Sequence, residues 1–497
     1  MKRLTQHKNT LNTKVSDLIT ISDILSLPSN SAVFLNVGVG GGKSHFCKNR
    51  LYNVAVAQQK KILYIINRKN PCDQFKQEIV CDQKYDCLTI TTYQAIESRI
   101  LSNKDPGFYQ YDYIVLDEYH RFAADTVVDA YTDLILEYIY NIHCIRFFLS
   151  ATPYGMDTYI QKELARRNIY YTSYMLPACY SMMTLKLIHD PTAIKSIINT
   201  ALQQQQKIIV FSNNIKMLYR LYVEYHSDAL FICSEYNESY IQYVNDAQKE
   251  YMIENELLPC SILFATTCLD IGFNLNDKSI KHIVCDLDDV DQLKQCVGRR
   301  RIQGIDDTFN VYVQNQSKSA LESSIRMWQQ QIQHAWYLKT YGPWAYCSHY
   351  KYNRDHDDLI FIDVDDTGDL RLRVLDLKYQ YYVHRIWMCQ QIINSGKSYL
   401  LYLQDEFGCK ISNEVRKAGM YQFRYEYLRS IEGKELDRQD REKLCNVLSY
   451  RKDNRKLARR FELINQCLER DELPFRIYKL KNNNRCIVWI IQEIIEK

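Results

Sequence analysis

The stretch "VGVGGGKSH", residues 37–45, constrains this chain more than any other. Glycine is scarce, 15 of 497 residues, yet Gly38, Gly40, Gly41 and Gly42 fall together here, directly before Lys43 and Ser44. The apolar run "AVFLNV" precedes them and the helical pattern "KSHFCKNRLYNVAVAQ" follows. A strand, a glycine-rich loop and Lys-Ser at a helix start predict a phosphate cradle. Glycines let successive backbone N–H groups converge on phosphate oxygens without side-chain clash, and the helix start adds positive potential. In such a loop Gly40, Gly41 and Gly42 line the phosphates of a nucleoside triphosphate. Lys43 reaches the β- and γ-phosphates, and Ser44 holds Mg²⁺. The pattern G-x-x-x-x-G-K-[ST] asks for glycine at position 37, where the chain has Val37; the inner part is kept.

A phosphate loop of this kind needs an acidic partner at the mouth of a neighbouring strand. "YDYIVLDEYH" supplies Asp117 and Glu118 after an apolar run. Asp117 suits the Mg²⁺ shell, and Glu118 suits a base that orients and deprotonates water. The surrounding texture agrees. "SAVFLNVG", "KKILYIIN", "CLTITTY", "YDYIVLDE" and "IRFFLSAT" are short apolar runs separated by helix-like stretches. A second series follows in "QKIIVFSNN", "DALFICSE", "CSILFATT", "IKHIVCDLD" and "TFNVYVQN". Each series reads as buried parallel strands alternating with helices, so two α/β lobes are expected, joined near residues 170–190.

With both lobes in view, the Asp-Glu-x-His box resembles the DExH signature of superfamily 2 helicases and translocases. The resemblance continues in order along the chain. "LSATP" is similar to the SAT box, with Ser150 and Thr152; Arg68 and the Thr91-Thr92-Tyr93 run stand where strand-contacting motifs are expected. "VFSNN" and "FATTCLDIGFNL" resemble motifs IV and V, the latter with Thr266, Thr267, Asp270 and Gly272. "QCVGRRR" resembles motif VI, with Gln295, Gly298 and Arg299. The common form QxxGRxxR would put its last arginine at 302, which is Ile302. The shortened QxxGRxR of origin-binding helicases of viruses would use Arg301, and Arg300 remains the alternative.

The resemblance implies an α/β fold of two tandem RecA-like (P-loop NTPase) lobes with parallel sheets, followed by a mostly helical C-terminal region. The expected boundaries are a lead segment 1–30, a first lobe 31–175, a second lobe 176–315 and an accessory region 316–497. It implies ATP and Mg²⁺ as cofactors, with Ser44 and Asp117 at the metal. Glu118, Gln295, Arg299 and Arg301 would be catalytic, and Gly272 would join the ATP-binding set. His120, Ser150 and Thr152 would couple hydrolysis to the strand. Arg68, Thr91, Thr92, Thr266 and Thr267 would contact nucleic acid, DNA in preference to RNA. The implied activity is ATP-dependent movement along or unwinding of a strand, in replication or recombination. The alternative is an ATP-driven binding switch without strand separation.

Bulk composition adds little. The net charge of +4 over 497 residues is compatible with a nucleic-acid partner without arguing for one. The 17 cysteines form no CxxC pair, which disfavours zinc and fits reduced thiols in a cytoplasmic or nuclear protein. No apolar run reaches the roughly 18 residues of a membrane span, and protein partners, replication factors among them, would fall to 316–497. All five tryptophans, Trp328, Trp336, Trp344, Trp387 and Trp489, lie beyond residue 315 and read as core. "LIFIDVDDTGDLRLRVLDL" predicts a hairpin turning at Thr367-Gly368, a wedge to be tested, and its Asp363, Asp365 and Gly368 read as a solvated turn rather than a Ca²⁺ loop. The basic run 451–460 reads as a solvated face.

Overall fold

The structure, a computed structural model, describes residues 4–494 except 7–12, 68, 125–131, 154, 189–192, 236, 268–273, 352–357, 365–367, 451–456 and 482–486. The first lobe holds strands β1 (Leu4–Gln6), β2 (Ser31–Val37), β3 (Ile62–Ile66), β4 (Leu88–Thr92), β5 (Tyr113–Asp117), β6 (Ile145–Ser150) and β7 (Tyr170–Leu176). They form one parallel sheet in the order β1-β7-β2-β6-β5-β3-β4. Strand side chains alternate between faces, and the burial follows: Val33, Leu35 and Val37 enter one core, Ala32 and Phe34 the other. Covered on both faces, β2, β3, β5 and β6 read as nearly continuous apolar runs.

The second lobe holds β8 (Met183–Leu187), β9 (Lys207–Ser212), β10 (Ala229–Ile232), β11 (Ile262–Ala265), β12 (Ile280–Asp286) and β13 (Phe309–Val313), parallel in the order β10-β11-β9-β12-β13-β8, with a two-residue strand, Lys410–Ile411, beside β8 as the seventh. Four helices matter below: α1 (Tyr93–Leu101) and α2 (Met156–Arg166) in the first lobe, α3 (Val290–Gly298) in the second, and α5 (Asp376–Asn394), which follows α4 (Lys318–His349). Inside α4, Gly342 takes φ 83°, ψ 171° ahead of Pro343, so the chain breaks into two helical pieces there. The hairpin β14 (Ile360–Val364) and β15 (Leu370–Val374) is antiparallel as the alternation predicts; Gly368 of its turn takes φ 86°, while residues 365–367, Thr367 included, lie outside the described residues. A second antiparallel pair, β16 (Phe475–Lys481) and β17 (Ile487–Glu493), is not foreseen by the sequence reading.

The chain divides into two compact units. Met1–Gln314, Ser323–Cys389 and Phe407–Lys410 form one, which contains both lobes; Asn315–Glu322, Gln390–Glu406 and Ile411–Lys497 form the other. The second has its own core, in which Leu444, Leu468, Ile477 and Ile491 surround Trp489. The expectation of core tryptophans holds for Trp489 and fails for Trp344, which is 84% exposed just after the α4 break, and for the half-exposed Trp336 and Trp387. Among the described residues no helix is long and apolar enough to cross a membrane.

Candidate functional site

The loop after β2 is tightly built. Gly38 N–H donates to the Leu176 carbonyl at 2.7 Å, and a Cβ on Gly38 would stand 2.3 Å from Ala178 N. Gly40 and Gly42 have φ of 79° and 84°, left-handed values that side chains resist. Gly42 then caps the helical turns that begin at Lys43, its carbonyl accepting from Phe46 N–H. Lys43 Nζ donates to the Val37 carbonyl at 2.9 Å, folding the lysine back over its own loop. Residues 4–6 and 13–30 belong to this lobe. Val15, Ile19 and Ile24 enter its core, Val15 N–H donates to the Gly41 carbonyl, and Lys14 Nζ donates to the Gly40 carbonyl at 2.8 Å. No sequence signal marked Lys14, whose neighbourhood is a polar, aperiodic stretch.

The acidic pair sits at the end of β5. Tyr93 OH donates to the Asp117 carbonyl at 3.0 Å, and Glu118 takes φ 49°, a strained turn that aims its carboxylate into the cleft. Burial and then the adjacent Glu118 charge push Asp117 up toward neutrality. Burial also works against the Glu118 charge, but Lys43, His120 and Arg299 outweigh it and hold that carboxyl below its usual range. Two carboxyls forced apart in this way suit a cation between them and the loop. Tyr93 itself is fully buried in the lobe core, so the expectation that it faces a strand is corrected.

From the second lobe, α3 brings its C-terminal end to the same place. Gly298 lies so close to the loop that a Cβ there would stand 2.6 Å from Val39 Cγ2. Arg299 is next to Glu118, whose charge opposes the lowering of its pKa by burial. Arg301 follows on a short bridge made by Arg301 N–H to the Leu275 carbonyl and Leu275 N–H to the Arg299 carbonyl. Its NH2 donates to Asn274 Oδ1, while its NH1, buried and without a hydrogen bond, lies 3.7 Å from the Cβ position of Gly40. Burial and Arg299 lower its pKa to about 10. Arg300, by contrast, is 2% exposed and forks onto both oxygens of Asp307, its guanidinium over the Phe309 ring.

A polar chain crosses between the lobes beside this pair. His120 Nδ1 is 3.0 Å from Ser150 Oγ and 3.2 Å from Glu118 Oε2; its Nε2 is 3.3 Å from Gln295 Nε2, which also donates to Thr152 Oγ1. Gln295, read as catalytic, therefore sits among the residues read as coupling. Together these groups enclose a cavity of about 630 Å³ lined by Gly40, Gly41, Gly42, Lys43, Ser44, Asp117, Glu118, His120, Gln295, Arg299 and Arg301. Among the described residues Gln295 Oε1, Asn67 Oδ1 and Arg301 NH1 have no hydrogen-bond partner there, so the walls fit a polyanion with a cation.

The threonines lie elsewhere. Thr91 and Thr92 end β4, and Thr92 Oγ1 caps α1 by accepting from Ala95 N–H. Thr266 and Thr267 follow β11, and Thr267 donates to Asn213 Oδ1 at 2.6 Å. None of the four lines the cavity. Arg68, Asp270 and Gly272 lie outside the described residues, as do 451–456 of the basic run.

Residues 77–155 match the family described as type III restriction enzyme, res subunit. No curated protein matches the chain. Among solved structures, the DUF1998 helicase MrfA bound to DNA and AMPPNP shares 16% identity at a TM-score of 0.41, over 63% of this chain and 49% of that one. The Hef helicase domain of Pyrococcus furiosus shares 11% identity at a TM-score of 0.36, over 59% of this chain and 94% of that one. The chain thus spans about half the length of the first.

Proposed function

We propose that this chain is an ATP-dependent nucleic-acid helicase or translocase of superfamily 2. The observation that carries the reading is the meeting of Lys43, Asp117 and Glu118 from one lobe with Gln295, Arg299 and Arg301 from the other around one cavity. The family match over residues 77–155 adds support, because it spans the Asp117-Glu118-Tyr119-His120 box and the Ser150-Ala151-Thr152 turn.

In this reading the glycine loop cradles the phosphates, and Lys43 leaves the Val37 carbonyl for them. Ser44 and Asp117 would hold Mg²⁺, which when bound neutralises charge on the β- and γ-phosphate oxygens. Glu118 orients a water and accepts its proton. Arg299 and Arg301 offset the charge that grows on the γ-phosphoryl group, and such arginines are worth about 10³–10⁵ in rate. Because they come from the opposite lobe, closure depends on the γ-phosphate and relaxes after its loss. His120, Ser150, Thr152 and Gln295 link that closure to the strand-facing ends of the sheets. DNA is the favoured strand, with backbone phosphates as the contacts of Thr91, Thr92, Thr266 and Thr267.

The test is ATP hydrolysis with single-stranded DNA, duplex DNA, single-stranded RNA and duplex RNA in parallel at one stated salt concentration. At least one should stimulate turnover; stimulation by none rejects the nucleic-acid reading. Glu118→Gln should keep ATP binding and lose turnover, and turnover that survives removes Glu118 as the base. Displacement of an annealed strand separates a helicase from an ATP-driven switch.

A further inference from the structure

Helix α5 touches both lobes. Near its start, Leu377 is buried in the core of the first lobe, and Tyr381 packs on the same core. One turn later His384 and Arg385 reach the second lobe: His384 Nε2 is 2.8 Å from Asp291 Oδ2, and Arg385 pairs with Asp289. These positions share one face of a helix. Asp289 is the cap of α3, its Oδ1 accepting from Asp291 N–H at 2.8 Å and Gln292 N–H at 3.3 Å. The other edge of the His384 ring returns to the first lobe. A Cβ on Gly155, the residue that opens α2, would stand 3.1 Å from His384 Nδ1. Gly155 lies three residues after Thr152, and Asp291 lies one turn before Gln295 and two before Arg299.

We propose that His384 and Asp291 are positioning residues for the hydrolytic cleft. Through them α5 pins the first turn of α3 against the loop that follows Ser150-Ala151-Thr152, which sets how Gln295 meets His120 and Thr152 and how Arg299 meets Glu118. The segment after the second lobe is then a working part of the ATP site and not an appendage. The inference rests on the reading of the cleft as an ATP site, and it adds residues that no motif in the sequence marked.

The experiment measures strand-stimulated ATP turnover of the full chain for wild type, His384→Phe, His384→Gln, Asp291→Ala and Lys43→Ala. Phe keeps the ring volume and loses the donor; Gln keeps a donor. His384→Phe and Asp291→Ala should each lower kcat about tenfold, within the range of couplings carried by packed contacts, with the KM for ATP changed less than about twofold. Combining them should lower it no further, and His384→Gln should recover at least half of wild-type turnover. Hydrogen exchange at 155–160 and at 291–296 should speed up together in His384→Phe, because the contact links two lobes. Wild-type kcat in either variant, no rescue by Gln, or faster exchange confined to 291–296 overturns the proposal. Lys43→Ala separates the two failures. If it turns over ATP like wild type, the reading of the cleft is wrong; if it is silent while His384→Phe is fully active, only the positioning role is lost.

Discussion

Arg300 and Arg301 are adjacent in sequence and opposite in fate. Arg300 spends its fork on Asp307 in the interior, whereas Arg301 keeps one nitrogen free over the phosphate loop. Arg300→Ala should therefore leave buried Asp307 with only the Lys281 ammonium at 3.6 Å and the Gln303 N–H at 3.0 Å, and cost about 3 kcal/mol of stability in urea titrations. Arg301→Ala should leave the urea midpoint nearly unchanged and lower ATP turnover by about 10³ or more, measured at saturating ATP. Spacing could not choose between them. The residue that decides, Asp307, lies beyond the motif and pairs only once β13 is in the sheet. Lys43, Ser44, Asp117 and Glu118 were legible because each chemistry demands its residue type at a fixed offset from a strand end. Lys14, Asn274 and His384 were not, since their neighbours in space are distant in sequence.

At the scale of elements, the ten apolar runs became ten strands of the two sheets, because a strand buried on both faces has little freedom in composition. Of the strands that escaped, Lys410–Ile411 is only two residues long, and β1, β7 and β8 carry polar or half-buried positions that blunt the signal, as "YYTSYML" does in β7. One buried histidine tests the second sheet. His282 on β12 lies 3.0 Å from Tyr312 OH and 2.7 Å from Gln206 Oε1, and burial, with help from Lys186, lowers its pKa to about 4. An unfolded imidazole titrates near ~6.5. Between these values the unfolded chain holds the extra proton, so stability falls as pH falls through that window and is complete above it. The loss should approach ~3 kcal/mol, and His282→Gln should flatten it in denaturation curves taken from pH 7 to 4. Contact between elements gives a second test. Gly298→Ala forces α3 off Val39, so turnover should drop at least about tenfold while far-ultraviolet circular dichroism stays that of the wild type.

At the scale of the whole molecule, only one of the two compact units contains the cleft. A non-hydrolysable ATP analogue with Mg²⁺ at about a hundred times its Kd should stabilise that unit by roughly 2.7 kcal/mol. Calorimetry should register this as an upward shift of its melting transition, with the other transition unmoved and no shift in Lys43→Ala. The passage between the lobes has a consequence of its own. The chain leaves β7 at Leu176, holds Gly38 by a backbone hydrogen bond, and lays Ala178 against the spot where any side chain at 38 would stand, before entering β8 at Met183. The segment that joins the lobes is thus fastened to the glycine loop. If the lobes close as proposed, a swing of the second would tug on the loop proposed to hold ATP, and a few residues spliced in after Cys179 would let it swing without being felt there.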